Sequence, residues 1–184
     1  MVRAVSEVGL FEGGLGCGCH GVGHRNLHGP NKLEAVKALI KAGASPLEFT
    51  GLTGTTCLIN AAANKDADAE LVRYLLELPG VRALINTPMR ARTLKWKATF
   101  LAARLLVKLG AKKAILLEVS DWPKNTALIG AARNGNAAAM KVLVEEGGAN
   151  TQLRNARGHS ALNLLVGGAK ALEETRVLLG SEGL

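Results

Sequence analysis

The chain has 184 residues, of which 48% are apolar, so it can bury a core and is not disordered throughout. Its formal net charge is +8, and the excess is concentrated in one stretch: positions 82–113 hold nine basic residues and no acidic one. If the chain has an acidic partner, its binding site is therefore expected at this stretch. The nine are Arg82, Arg90, Arg92, Lys95, Lys97, Arg104, Lys108, Lys112 and Lys113.

Aromatic side chains are only 3% of the chain, so its core is built from aliphatic residues and alanine, which suits closely packed helices. Three cysteines, an odd number, predict no disulfide framework and fit a reducing compartment. The first residues carry Glu7 and Glu12 within the apolar stretch and lack the unbroken run of a secretory signal. No window is apolar enough to span a membrane. We expect an intracellular protein, cytoplasmic or nuclear, that does not bind a membrane.

Residues 1–30 form a glycine-rich segment, which we interpret as a degenerate first helix or a cap. Two thiols and three imidazoles fall within it, and such groups can ligate zinc. The Cys-x-Cys spacing is tighter than the usual zinc knuckle, however, and the surrounding glycines give the ligands little preorganisation. Metal binding is therefore the alternative, and no metal ligand is assigned. The residues are Cys17, Cys19, His20, His24 and His28.

Further along, three segments repeat one pattern, in which a hydroxyl residue is followed by a small residue and a leucine. The hydroxyl residues are Thr56, Thr126 and Ser160, which are 70 and 34 positions apart. Because 70 is close to twice the shorter spacing, a diverged copy is expected between the first two. The segment ATFLAARLLVKLGAKKAILLEV, with Thr99 as its hydroxyl residue, supplies that copy. A first, partial copy is KLEAVKALIKAGASP.

Each copy is predicted to form two short helices. In the clearest copy Thr126 caps the first helix, Asn134-Gly135-Asn136 makes the turn, and Gly147-Gly148 ends the second helix. Helices of this length are marginal in isolation. Stacking of the copies is what stabilises them.

This pattern resembles the ankyrin repeat, which has a period of about 33 residues and the signature T-P-L-H-x-A. The resemblance runs from about residue 31 to the C terminus and is clearest at 124–155, although Cys57, Phe100, Ala127 and Ala161 occupy the proline position. It implies an all-α solenoid of helix–turn–helix repeats with β-hairpin-like finger loops, whose fingers and first helices bind partners. The expected repeats are approximately 31–50, 51–86, 87–121, 122–154 and 155–184.

The finger between the second and third repeats carries the most unusual chemistry in the sequence. Alternation of cations around one tryptophan predicts a strand-like tip, and the tryptophan of the next finger is expected to lie beside it. Arginine and tryptophan are favoured in protein interfaces, so we predict a contact with a protein or peptide, acidic ones included. The alternatives are phosphate contacts with base stacking on nucleic acid, or a merely solvated finger. The predicted contact residues are Arg90, Arg92, Lys95, Trp96, Lys97 and Trp122.

Motifs for catalysis are missing from the sequence. It holds no phosphate-binding Gly-x-x-x-x-Gly-Lys loop, no His-Glu-x-x-His and no Gly-x-Ser-x-Gly. Cys57 falls at a repeat position that is expected to be buried, and His159 is expected at the surface of a finger. The sequence therefore predicts a non-enzymatic binding module without a cofactor, either monomeric or part of a larger array.

Overall fold

The computed structural model describes residues 32–49, 53–64, 69–165 and 177–180. Regular structure within these ranges is entirely helical, which confirms the predicted all-α class. Two 3₁₀ turns, Val81–Leu84 and Leu162–Leu164, and a π-helical turn, Val142–Glu146, complete it. The α-helices are α1 (Lys32–Lys41), α2 (Cys57–Ala62), α3 (Ala69–Glu77), α4 (Leu94–Lys108), α5 (Ala114–Asp121), α6 (Ala127–Asn134) and α7 (Ala137–Lys141).

Helices α2 and α6 begin in the same way. The hydroxyls of Thr56 and Thr126 each accept a hydrogen bond from the backbone N–H three residues later, so both are N-caps as the repeat pattern predicts. Two residues before each cap the backbone has a positive φ, +65° at Gly54 and +65° at Lys124. Gly158, two residues before Ser160, has a φ of +87°. The same turn therefore precedes all three hydroxyl residues.

The predicted turn between the two helices of the clearest repeat is also confirmed. Gly135 has a φ of +70° and caps the C terminus of α6, and Asn136 accepts a hydrogen bond from the Ala139 N–H to begin α7. The chain continues through the π-helical turn, and the Gly147 N–H donates to the Val142 carbonyl. Glycines thus end the second helix as expected.

Helix α2 packs directly against α6. The Asn134 side-chain amide donates to the Ala63 carbonyl at 2.7 Å, and that of Asn136 donates to the Asn64 carbonyl at 2.8 Å. A Cβ built on Gly130 would lie 3.3 Å from the Ala63 Cβ, so the two helices approach closely through small residues. The copies that begin at Thr56 and Thr126 are therefore neighbours in space.

The second helices of these copies are joined as well. The Arg73 guanidinium, on α3, donates to both carboxylate oxygens of Glu146 at 2.8 and 2.6 Å. This pairing lowers the pKa of Glu146 and raises that of Arg73. The Arg82 guanidinium also donates to the Glu146 backbone carbonyl at 3.0 Å. Both layers of the two repeats are thus in register.

Helices α4 and α5 pack against each other as an antiparallel pair, which we call the inserted hairpin (residues 94–121). Because α2 and α6 are in direct contact, this pair does not stand between them. The stacking order therefore differs from the one that even spacing predicts, although the repeat boundaries themselves remain predictions. Thr99 is not a cap: it lies inside α4, and its hydroxyl donates to the Lys95 carbonyl. Thr93 is the residue that caps α4.

Candidate functional site

The six predicted contact residues lie where the inserted hairpin joins the stack. Arg90 and Arg92 are in the irregular segment before α4, Lys95, Trp96 and Lys97 form its first turn, and Trp122 directly follows α5. All four cations are exposed, whereas both tryptophans are half-buried. The predicted strand-like tip is wrong for 94–97, because the Thr93 cap starts a helix of 15 residues there.

The two tryptophans are neighbours, as predicted, with ring centroids 6.4 Å apart. Phe100, one turn after Trp96 on α4, completes the group at 5.4 Å from Trp96 and 6.4 Å from Trp122. The Phe100 side chain is buried, so this cluster attaches the hairpin to the stack. Phe100 was not among the residues predicted for the site. It is four residues after Trp96, so a helix over this segment would have placed the two rings on one side.

The irregular segment that carries the arginines is held from several sides. The Met89 N–H donates to the Asn125 carbonyl at 2.8 Å, and the Met89 carbonyl accepts from the Lys124 N–H at 3.0 Å. A Cβ at Gly54 would collide with the Arg90 carbonyl, so glycine is required there for the close approach. The Arg92 guanidinium lies 5.9 Å from the Phe49 ring centroid. The backbone of this segment is therefore fixed, while its charged groups face solvent.

The cations of the first turn are placed against the helix dipole. Lys95 and Lys97 stand at the positive end of α4, whose first turn holds no acidic residue, although carboxylates are the favoured charges there. Among the residues that the structure describes, neither lysine forms an ion pair with a carboxylate, and nor does Arg90. Positive potential is thus concentrated at this corner at some cost in helix stability.

Helix α4 also exposes an apolar stripe that sequence reasoning missed. The exposed fractions are 82% for Leu94, 57% for Leu101, 51% for Leu105 and 84% for Leu109. A helix that stacked between two repeats would have covered this side. The leucines alone would be interpreted as the buried side of α4. Their exposure becomes evident only because the structure buries the side that carries Phe100 and Ala103 instead.

At the same end of the hairpin, directly before Trp122, the buried carboxylate of Asp121 joins α5 to the last finger. One carboxylate oxygen accepts from the Arg157 guanidinium at 2.9 Å, and the other accepts from the Asn155 amide at 3.2 Å and lies 3.0 Å from His159 Nδ1. His159 is therefore only partly exposed and has a fixed carboxylate neighbour. These contacts tie two neighbouring fingers together.

The remaining cysteine and histidine side chains are either buried in the described structure or outside the described ranges. Cys57 is buried, as predicted, and burial raises the pKa of its thiol to about 11. The cysteine and histidine cluster of the first 30 residues lies outside the described ranges. Within those ranges, no group of three or more acidic, histidine or cysteine side chains is placed to hold a metal ion. No described helix has the length and apolar character needed to cross a bilayer.

Comparison with known proteins bears on the fold. The model of the ankyrin repeat family matches residues 124–156. Among solved structures, the ankyrin repeat domain of human ASB11 is similar, with 22% sequence identity and a TM-score of 0.28, over 82% of this chain and 80% of that one. No curated protein matches the chain.

Proposed function

The chain contains an ankyrin repeat and has an all-α, ankyrin-like fold, and from this premise we propose that it is a non-enzymatic module that binds another protein. Ankyrin repeats are generally protein-interaction modules. The observation that carries the proposal is the basic corner, which we define as Arg90, Arg92, Lys95 and Lys97. It lies at the junction of finger and hairpin, where the four charges are exposed on a fixed backbone.

The unfavourable placement of Lys95 and Lys97 at the N terminus of α4 supports a role in binding. Lysines at the N-terminal turn of α4 oppose the helix dipole, and the described fold obtains no ion pair from them in return. A carboxylate-rich protein surface would satisfy these cations and the positive end of the helix together. We therefore propose that the partner has an acidic protein surface. Trp96 and Trp122 position the basic corner, and their exposed parts contact the partner.

The test is affinity capture from a nuclease-treated lysate with the full chain and two variants. The first variant reverses Arg90, Lys95 and Lys97 to Glu and leaves Arg92, which packs over Phe49, in place. The matched control reverses three exposed lysines away from the corner, Lys41, Lys112 and Lys141. Both variants change the net charge equally, so only the location of the change differs.

We expect the first variant to lose a partner that the wild type and the control both retain. Circular dichroism should show an intact helical fold, because glutamate at positions 95 and 97 suits the N terminus of α4 better than lysine. Equal loss in both variants would mean that total charge, not the basic corner, drives capture. Identical partners in all three samples would refute the proposal. So would capture that depends on the basic corner in an untreated lysate and is lost in the nuclease-treated one.

A further inference from the structure

Helix α4 has two apolar sides, and only one of them is used by the fold. The inner side carries Phe100 and Ala103, which are 5% and 3% exposed, together with half-buried Trp96. The outer side carries a leucine stripe, which we define as Leu94, Leu101, Leu105 and Leu109. A surface helix of a globular protein normally has one apolar side, which faces the core.

The stripe has the dimensions of a helix-binding surface. Its residues are spaced by seven, four and four positions, so they follow one line along α4. At a rise of 1.5 Å per residue the line is roughly 22 Å long, or about four turns. Leu106, also exposed, widens the stripe on one side. Four large leucines in a row on one helix are typical of a surface that another element covers.

One edge of the stripe is cationic. Lys97, Arg104 and Lys108 are seven and four residues apart, which places them along a second line parallel to the leucines. None of the three forms an ion pair with any carboxylate in the described part of the chain. The opposite edge carries Ala98 and Ala102, which are small and uncharged, and Lys95 at its N-terminal end. The surface is therefore apolar along its centre, with three cations spread along one edge and a single cation at one end of the other.

We infer that the leucine stripe and its cationic edge bind an acidic amphipathic helix of the partner protein. The inference rests on the proposed function and names the chemistry of that partner. A helix laid along α4 would bury its own apolar side on the leucines and place carboxylates, spaced by seven and four residues, against the cationic edge. Leucine contacts would supply affinity, and the charges would set orientation.

Charge and shape favour this occupant over two others. A second copy of the chain would bring no carboxylate on α4 to the cationic edge, and in an antiparallel pair the two cationic edges would face each other. An anionic bilayer is flat and presents headgroups on both flanks of a bound helix, which suits cations on both edges. Here three cations line the whole of one edge and only Lys95 lies on the other, which suits a helix adjacent to the cationic edge better than a flat surface. Both alternatives are outcomes of the test below.

The probe is a synthetic helical peptide of about 18 residues, long enough to span the stripe, with leucines on one side and glutamates along one edge. Binding to the full chain is measured by fluorescence anisotropy at physiological salt. Two control peptides are a scramble of the same composition and a version with lysine in place of glutamate. We expect the acidic helix to bind at least about tenfold more tightly than either control.

Two pairs of protein variants separate the stripe from general hydrophobicity and charge. Replacing Leu101 and Leu105 by Ser is expected to weaken binding about tenfold or more, whereas replacing Ile115 and Val177 by Ser leaves it unchanged. All four residues are at least half exposed, so each pair is expected to fold like the wild type.

The charge variants follow the same logic. Reversal of Lys97 and Lys108 to Glu is expected to abolish the preference for the acidic peptide over its scramble. Reversal of Lys41 and Lys141, which are also exposed, should preserve that preference.

Three results would overturn the inference. One is equal binding of the acidic peptide and its scramble. Another is binding to phosphatidylserine–phosphatidylcholine vesicles that depends on Leu101 and Leu105 while the peptide does not bind. The third is concentration-dependent dimerisation, seen by sedimentation, that the serine variant loses. If the peptide fails to bind but capture still depends on the basic corner, only the helix inference is wrong. If capture shows no such dependence, the proposed function is wrong.

Discussion

Direct contact between α2 and α6 can be tested with an engineered disulfide. A Cβ at position 130 would lie 3.3 Å from the Ala63 Cβ, close to the Cβ separation of about 3.8 Å found in disulfides. The double variant Ala63→Cys/Gly130→Cys should therefore form an intramolecular bridge after oxidation. The background replaces Cys17 and Cys19 by Ser, and Cys57 can remain because it is buried.

The expected stabilisation follows from the length of the closed loop. Residues 63 and 130 enclose roughly 67 residues, for which the chain-entropy relation gives about 4 kcal/mol at 25 °C. The slightly short Cβ separation costs some strain, so we expect the bridge to raise the free energy of unfolding by about 2–4 kcal/mol.

The contact between α2 and α6 is also polar. Asn136 caps α7 and donates to the Asn64 carbonyl, so Asn136→Ala should lower the free energy of unfolding by about 2 kcal/mol.

The assay compares urea unfolding of the oxidised and reduced forms, with the bridge identified by peptide mass mapping. The matched control is Ala63→Cys/Ala103→Cys, which places the second thiol four residues after Thr99, as Gly130 is four residues after Thr126. This control pair would cross-link if residues 87–121 were stacked between the two repeats. A bridge in the control, with none between positions 63 and 130, would refute direct stacking. A loss of only about 1 kcal/mol for Asn136→Ala would indicate that the cap alone matters.

Three other changes test local features. Lys124 adopts the positive φ that Gly54 and Gly158 adopt in the equivalent turns, so Lys124→Gly should raise the free energy of unfolding by about 1 kcal/mol, and a decrease in urea denaturation would contradict this. Since burial raises the pKa of Cys57 from 9.0 to about 11, the folded state holds its proton longer than the unfolded state does. Stability should therefore fall as the pH rises from 9 to 11, by roughly 2 kcal/mol more than in Cys57→Ala, and parallel pH profiles for the two proteins would exclude this effect. Phe100→Ala should cost about 3 kcal/mol and shift tryptophan emission to the red, because the ring is buried between both indoles; an unchanged spectrum would mean that the cluster does not hold the hairpin.

The sequence by itself determined the local structure. Hydroxyl residues before small, apolar runs predicted the caps Thr56 and Thr126, and Asn134-Gly135-Asn136 predicted the turn that the structure contains. The caps and the turn depend on hydrogen bonds within a few residues, so the local pattern is sufficient to specify them. Trp96 and Trp122 are neighbours as predicted, but they meet because α4 begins where α5 ends, and not as the tips of two fingers.

Only the tertiary structure decided which units meet. The spacing of 70 residues between Thr56 and Thr126 fits either a stacked copy or an inserted hairpin, because two helices of similar length occupy it in both cases. The choice depends on contacts between distant residues, such as the amide of Asn134 with the carbonyl of Ala63, that no local periodicity encodes. Since the hairpin lies outside that contact, the leucines of α4 are left exposed beside its cations. The sequence alone shows that basic residues are concentrated at 82–113. The exposure of the leucine stripe beside them depends on how the helices pack.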